Sequence, residues 1–260
     1  DDDFVDFNIQ ITIPHKFSQF GPSIAVGDLN GDKLEDVLIG GSKGKSEVLF
    51  YQKPDGTFYK ESINLKRQKY KVEEDAGIAL FDIENDGDLD LYIAHGSAQF
   101  EPGSIAYDDV IWINDGKGNF SLLDIVLPNN GLNASCVKAA DFDHDGDLDV
   151  YTCVYYADEE IRAELPIPMP IYDAKNGGQN ALLENDGNWK FTNITKAAGL
   201  AVDNSRFSFA AIWEDYNNDG DLDLYVVNDF GHNNLYQNKG GHFQHITEQS
   251  GTRNGTFGMS

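Results

Sequence analysis

Positive charge is scarce in this sequence: 19 Lys and Arg stand against 44 Asp and Glu, a formal charge of −25 over 260 residues. A chain so poor in cations lacks the groups that contact phosphates, which argues against nucleic acid as a partner. Apolar residues never run to the ~20 that a helical membrane span needs. With two cysteines, Cys136 and Cys153, at most one internal disulfide can form. Apolar residues make up 40% and aromatics 12%, the composition of a globular protein and not of a disordered one.

The acid is patterned. Asp-x-(Asp/Asn/Glu)-x-Asp-x-x-x-Asp occurs four times, opening at Asp28, Asp82, Asp141 and Asp215, at spacings of 54, 59 and 74 residues. Such a period is that of a stacked repeat unit. A hard divalent cation takes six to eight oxygens, and a tight loop supplies them from positions 1, 3 and 5, a backbone carbonyl at position 7 and here a carboxylate at position 9. The expected ligands of four Ca²⁺ sites are therefore Asp28, Asn30, Asp32, Leu34 and Asp36; Asp82, Glu84, Asp86, Asp88 and Asp90; Asp141, Asp143, Asp145, Asp147 and Asp149; and Asp215, Asn217, Asp219, Asp221 and Asp223. Glycine at position 6 (Gly87, Gly146, Gly220) suits a sharp reversal, whereas the first loop has Lys33 there and Gly31 at position 4. Four divalent cations would carry +8 and bring the formal charge from −25 to −17, still strongly acidic.

An EF-hand begins with the same alternation but ends on a bidentate Glu at position 12 between helices. Position 12 is Ile39, Ile93, Thr152 or Val226, and the flanks (Ile24–Val26, Val37–Ile39, Leu91–Ile93, Val150–Val154, Leu224–Val227) are short β-branched runs. Each loop is thus the tip of a β-hairpin. A third apolar segment follows in every copy (Val48–Gln52, Val110–Asn114, Ala181–Asn185, Asn234–Asn238), then a Gly, Asp or Asn-rich turn and an aromatic (Phe58, Phe120, Phe191, Phe243) that opens a fourth. Four antiparallel strands per repeat make the blade of a β-propeller, and the recurring aromatics suit packing between blades. The predicted fold is all-β: one propeller region over residues 1–260, with repeats near 20–65, 76–127, 134–198 and 205–250.

Cys136 and Cys153 flank the third loop and would face each other across its hairpin, as a disulfide or as two small core residues. The cluster Lys66-Arg67-Gln-Lys69-Tyr-Lys71, running into Glu73-Glu74-Asp75, reads as a solvated loop. The chain opens on Asp1-Asp2-Asp3 with no leader pattern, as a mature or trimmed form would.

The segments Trp213–Tyr225, Asn228–Asn238 and Phe191–Leu200, together with the four loops, resemble FG-GAP/VCBS-type calcium-binding propellers, and among them the cartilage acidic protein group associated with ASPIC/UnbV domains. The resemblance implies calcium at the four loops, a secreted or cell-surface setting, and a ring of near seven blades. Thr256–Ser260 would then open a fifth repeat, making four blades an incomplete ring whose remainder is a further segment or a second chain.

Strand alternation puts the acidic loops on one face and the long insertions, 95–109 and 155–179, on the other, where variable loops on a rigid scaffold meet a protein or glycan partner. The alternative function is a carbohydrate lyase or dehydratase centred on His95, His232, Asp108, Asp109 and Asp229 on that insertion face.

Overall fold

The computed structural model describes residues 5–8, 21–63, 71–97, 99–156, 167–187 and 189–254. Among the described residues sixteen strands form four separate four-stranded antiparallel sheets in strict sequence order. Blade one comprises β1 (Ile24–Gly27), β2 (Asp36–Ile39), β3 (Val48–Gln52) and β4 (Phe58–Ser62). Blade two comprises β5 (Asp75–Phe81), β6 (Asp90–His95), β7 (Val110–Ile113) and β8 (Ser121–Leu122). Blade three comprises β9 (Ala134–Ala140), β10 (Asp149–Val154), β11 (Ala181–Asn185) and β12 (Phe191–Asn193). Blade four comprises β13 (Ser208–Glu214), β14 (Asp223–Asn228), β15 (Asn234–Asn238) and β16 (Phe243–His245).

β1 packs on β5, β5 on β9 and β9 on β13, so the first strand of each blade is innermost and the blades follow one another around an arc. Among the described residues that arc does not close into a ring. Thr256–Ser260, expected to open a fifth repeat, lie outside the described residues.

The core lies between blades and not within them, because a single sheet has two faces and no interior of its own. Leu29, Leu38, Leu49 and Tyr51 of blade one bury against Leu91, Ile93 and Trp112 of blade two. Phe81, Tyr92 and Ile111 meet Val137, Val150 and Phe191 at the next seam, and Phe142, Tyr151 and Leu182 meet Ala211 and Phe243 at the third. The recurring aromatics Phe120, Phe191 and Phe243 take part in these seams. Phe58 does not: it is 43% exposed, because it belongs to blade one and faces away from blade two.

Cys136 and Cys153 are direct cross-strand partners in β9 and β10, as their spacing requires, and both are free thiols. Lys71 corrects the reading of the basic cluster. It is 3% exposed, with Nζ 2.6 Å from both Glu47 and Asp75, so its charge is neutralised in the seam between blades one and two. Residues 66–70 of that cluster lie outside the described residues.

Candidate metal centre and the loops that carry it

All four acidic segments link the first strand of a blade to its second. Left-handed backbone occurs twice in each: at position 6 (Lys33 φ 70°, Gly87 99°, Gly146 97°, Gly220 99°) and at position 4 (Gly31 76°, Asn85 60°, His144 66°, Asn218 59°). Glycine or asparagine tolerates that conformation best, which leaves Lys33 and His144 as the strained members.

The carboxylates have separable roles. Position 1 gathers the loop's own amides: Asp82 accepts from Asp86 N at 3.0 Å and Gly87 N at 2.8 Å, and Asp215 accepts from Asp219 N and Gly220 N at 3.1 and 3.0 Å. Position 5 accepts from the amide at position 7, as in Asp147 N to Asp145 at 2.9 Å. Position 9 is buried in every blade, Asp36, Asp90 and Asp149 at 0% exposed and Asp223 at 2%. It accepts from the third strand of its own sheet, Gln52 N, Asn114 N, Asn185 N and Asn238 N at 2.8 to 2.9 Å.

Positions 1, 3 and 9 converge. Asp82, Glu84 and Asp90 each offer a carboxylate oxygen within 4.8 Å of the others, as do Asp141, Asp143 and Asp149. In loops one and four the same positions hold Asp28, Asn30 and Asp36, and Asp215, Asn217 and Asp223. Two of these oxygens, Glu84 Oε2 and Asp141 Oδ1, are buried and meet no hydrogen-bond donor among the described residues. Buried acceptors of that kind need a counter-charge or a donor, and an all-oxygen set fits a hard divalent cation. Burial first, and neighbouring carboxylates second, raise Glu84 and Asp149 to about 8 and Asp88 to about 6. The same two causes hold Asp143 above the usual carboxylate range.

Position 7 has a side-chain role that the sequence did not reveal. Asp147 accepts from Asn85 Nδ2 of the preceding loop at 2.5 Å, and Asp221 lies 3.3 Å from His144 Nε2 while accepting from Gly240 N at 2.8 Å. Position 4 of one loop therefore meets position 7 of the next. A second missed device is the asparagine that ends the third strand. Asn114, Asn185 and Asn238 are buried, and each Nδ2 donates to a carbonyl in the previous blade's loop (Leu29, Ile83, Phe142) as well as one in its own (Leu89, Leu148, Leu222). The recurrence of Asn at one register in three repeats was the available signal.

An FG-GAP-like repeat profile matches residues 28–93, 98–152 and 215–260, which include all four acidic loops in full. The chain belongs to the FG-GAP-like repeat family. No curated protein sequence matches it. Among solved structures, this FG-GAP-like chain is similar to a lectin of Agrocybe aegerita, described in terms of specific recognition of non-reducing terminal N-acetylglucosamine, at 15% identity and TM-score 0.50. The match covers 86% of this chain and 52% of that one. A Trypanosoma rangeli sialidase in complex with 2,3-difluorosialic acid aligns at 14% identity and TM-score 0.46, over 86% of this chain and 37% of the other. The chain spans about half the length of the lectin. At such identity the likeness to the lectin speaks to fold alone.

The acid–base groups on the insertion face do not converge. His95 is fully buried, its Nδ1 2.5 Å from the Asp108 carbonyl and its Nε2 3.3 Å from Asp75, and Asp109 accepts from Tyr92, Asn129 and His95 N. Burial pushes Asp109 up to about 6. His232 belongs to blade four, where it accepts from Arg253 Nε at 2.9 Å, and Asp229 is buried and accepts from the Tyr155 hydroxyl at 2.5 Å. These are two seam-sealing networks. Among the described residues no helix is long and apolar enough to cross a membrane.

Proposed function

We propose that the chain is a calcium-stabilised propeller scaffold, secreted or at the cell surface, that presents its insertion face to a protein or glycan as one piece of a larger assembly. The observation that carries this reading is the convergence of positions 1, 3 and 9 in the second and third loops, with the buried oxygens Glu84 Oε2 and Asp141 Oδ1 meeting no donor among the described residues. Asp28/Asn30/Asp36, Asp82/Glu84/Asp90, Asp141/Asp143/Asp149 and Asp215/Asn217/Asp223 would hold the ions, with positions 5 and 7 completing each set. The bound cation supplies charge neutralisation at four loop tips. The chain's own residues fix the loops: position 1 gathers the amides, and position 9 ties the loop to its sheet. Within the FG-GAP-like repeats, the segments Trp213–Tyr225 and Asn228–Asn238 support a place in the cartilage acidic protein group.

Calcium at ten times its Kd adds roughly 1.4 kcal/mol per site by mass action, about 5–6 kcal/mol for four independent sites. Thermal unfolding in millimolar calcium and in excess EDTA tests this. A fall in Tm on chelation, reproduced in calcium by Glu84→Gln with Asp143→Asn, is the expected result. Identical melts in calcium and EDTA would overturn the reading.

A further inference from the structure

A groove of about 470 Å³ crosses the insertion face beside blade three, between the connection into β9, the start of β11 and the connection from β12 to β13. Its size falls in the range of small-molecule sites. The lining contrasts with the acidic loops of the opposite face. In a chain with 44 Asp and Glu, no carboxylate among the described residues lines this groove, and Lys196 is its one charged described residue. Amides and hydroxyls dominate instead, among them Asn130, Gln179, Asn204 and Ser205, beside aliphatic patches at Pro128 and Leu132.

Two of the amides have an enclosed oxygen. Asn204 is 6% exposed, its Nδ2 donates to the Asn180 carbonyl at 2.9 Å, and its Oδ1 has no partner among the described residues. Asn130 Oδ1 is likewise buried and without a donor. Asn180, which anchors Asn204, is itself fixed: its Oδ1 accepts from Val154 N at 2.8 Å and its Nδ2 donates to Ser208 Oγ at 2.9 Å. Buried acceptors without a donor put a free-energy cost on the wall of this groove that packing alone does not explain.

We infer that this groove is a binding site for a neutral oligosaccharide. Each sugar hydroxyl is donor and acceptor at once, as each primary amide is, so hydroxyls form reciprocal pairs with the accessible amides at the rim, Gln179 and Asn130. The C–H faces of the rings lie against Pro128 and Leu132. A neutral ligand enters without opposing the −25 charge of the chain, whereas an anionic one must approach against it. The inference rests on the scaffold reading above and names the ligand class and the place on the face.

The test uses the calcium-loaded 260-residue chain with chitohexaose, cellohexaose, maltohexaose and mannohexaose, read by saturation-transfer NMR and calorimetry. At least one should bind, with an affinity that salt leaves unchanged. Gln179→Ala and Asn130→Ala, at the exposed and half-buried rim, should each weaken that binding roughly three- to tenfold at unchanged Tm. Binding of none of the four overturns the inference, as does salt-dependent binding of acidic oligosaccharides alone. Binding that neither variant alters overturns the groove and leaves the scaffold standing. A calcium-independent melt with binding intact does the opposite: it sinks the scaffold reading and leaves the groove.

Discussion

One residue after the first aspartate of each loop, Leu29, Ile83 and Phe142 are 0%, 1% and 1% exposed, whereas Tyr216 of blade four is 45% exposed. The same side chain position points forward in every blade. In the first three blades it meets another sheet. In the fourth it lines a groove of about 360 Å³ with Ile212, Tyr225 and Leu235. The rear of blade one mirrors this, with Ile24 and Val26 at 63% and 56% exposed while their equivalents Ile78 and Leu80 pack into the first seam. Blade cores are therefore shared property: a repeat of this type has no hydrophobic interior until a neighbour arrives.

The sharpest way to break that comparison is a pair of substitutions at one register. Phe142→Ala removes a ring that lies 5.7 Å from Phe243 across the third seam, and should cost about 3–5 kcal/mol. Tyr216→Ala, on the open face, should change stability by about 0.5 kcal/mol or less. Urea denaturation of both variants in calcium measures the two. Equal costs would mean that the forward face of blade four is covered in solution.

The apolar half of this architecture was legible in the sequence because period-two alternation and Gly-Asp turns are local signals. Val48–Gln52 and Asn234–Asn238, for example, are strands with the bounds the pattern predicts. Convergence of Asp82 with Glu84 and Asp90 was legible for the same reason, since loop spacing alone brings those positions together. What escaped was non-local. Lys71 looks like part of a solvated cluster until Glu47, 24 residues earlier, is placed beside it. Asn238 looks like a turn residue until the carbonyl of Phe142, 96 residues away, sits on its Nδ2 at 2.7 Å. Phe58 failed in the opposite sense, since repeat logic places it in a seam and blade one has no described neighbour behind it.

The asparagines sharpen the comparison from the polar side. Asn238→Ala leaves the Phe142 and Leu222 carbonyls without their buried donor and should cost about 2–3 kcal/mol, an effect measured at saturating calcium so that ligand loss does not contribute. Gln237→Ala, one residue earlier and half-buried on the same strand, should cost less than about 1 kcal/mol. If the two substitutions are equivalent, the amide is a bystander and the seam is held by its apolar residues alone.

The smallest effect concerns the ionised end of the first seam, where Lys71, Asp75, Asp109 and the Asp108 carbonyl surround His95. Burial works against the imidazolium, but Asp75 outweighs it and the pKa of His95 rises above the ordinary 6.5. Asp75 answers in kind: burial opposes its charge, and His95 with Lys71 hold it below the usual carboxylate range. For a base with a raised folded-state pKa, the stabilisation is complete below 6.5 and disappears as pH climbs through the folded value. Asp109, pushed up to about 6 by burial, also favours the fold in its protonated form and titrates near the same window. Its contribution largely cancels when wild type is compared with His95→Gln, which keeps a polar side chain there and removes the charge. The stability difference between the two should be on the order of 1 kcal/mol near pH 5.5 and shrink toward pH 8. A difference that is flat with pH would mean that His95 holds the seam by shape and hydrogen bonding, as the open face of blade four has no equivalent means of doing.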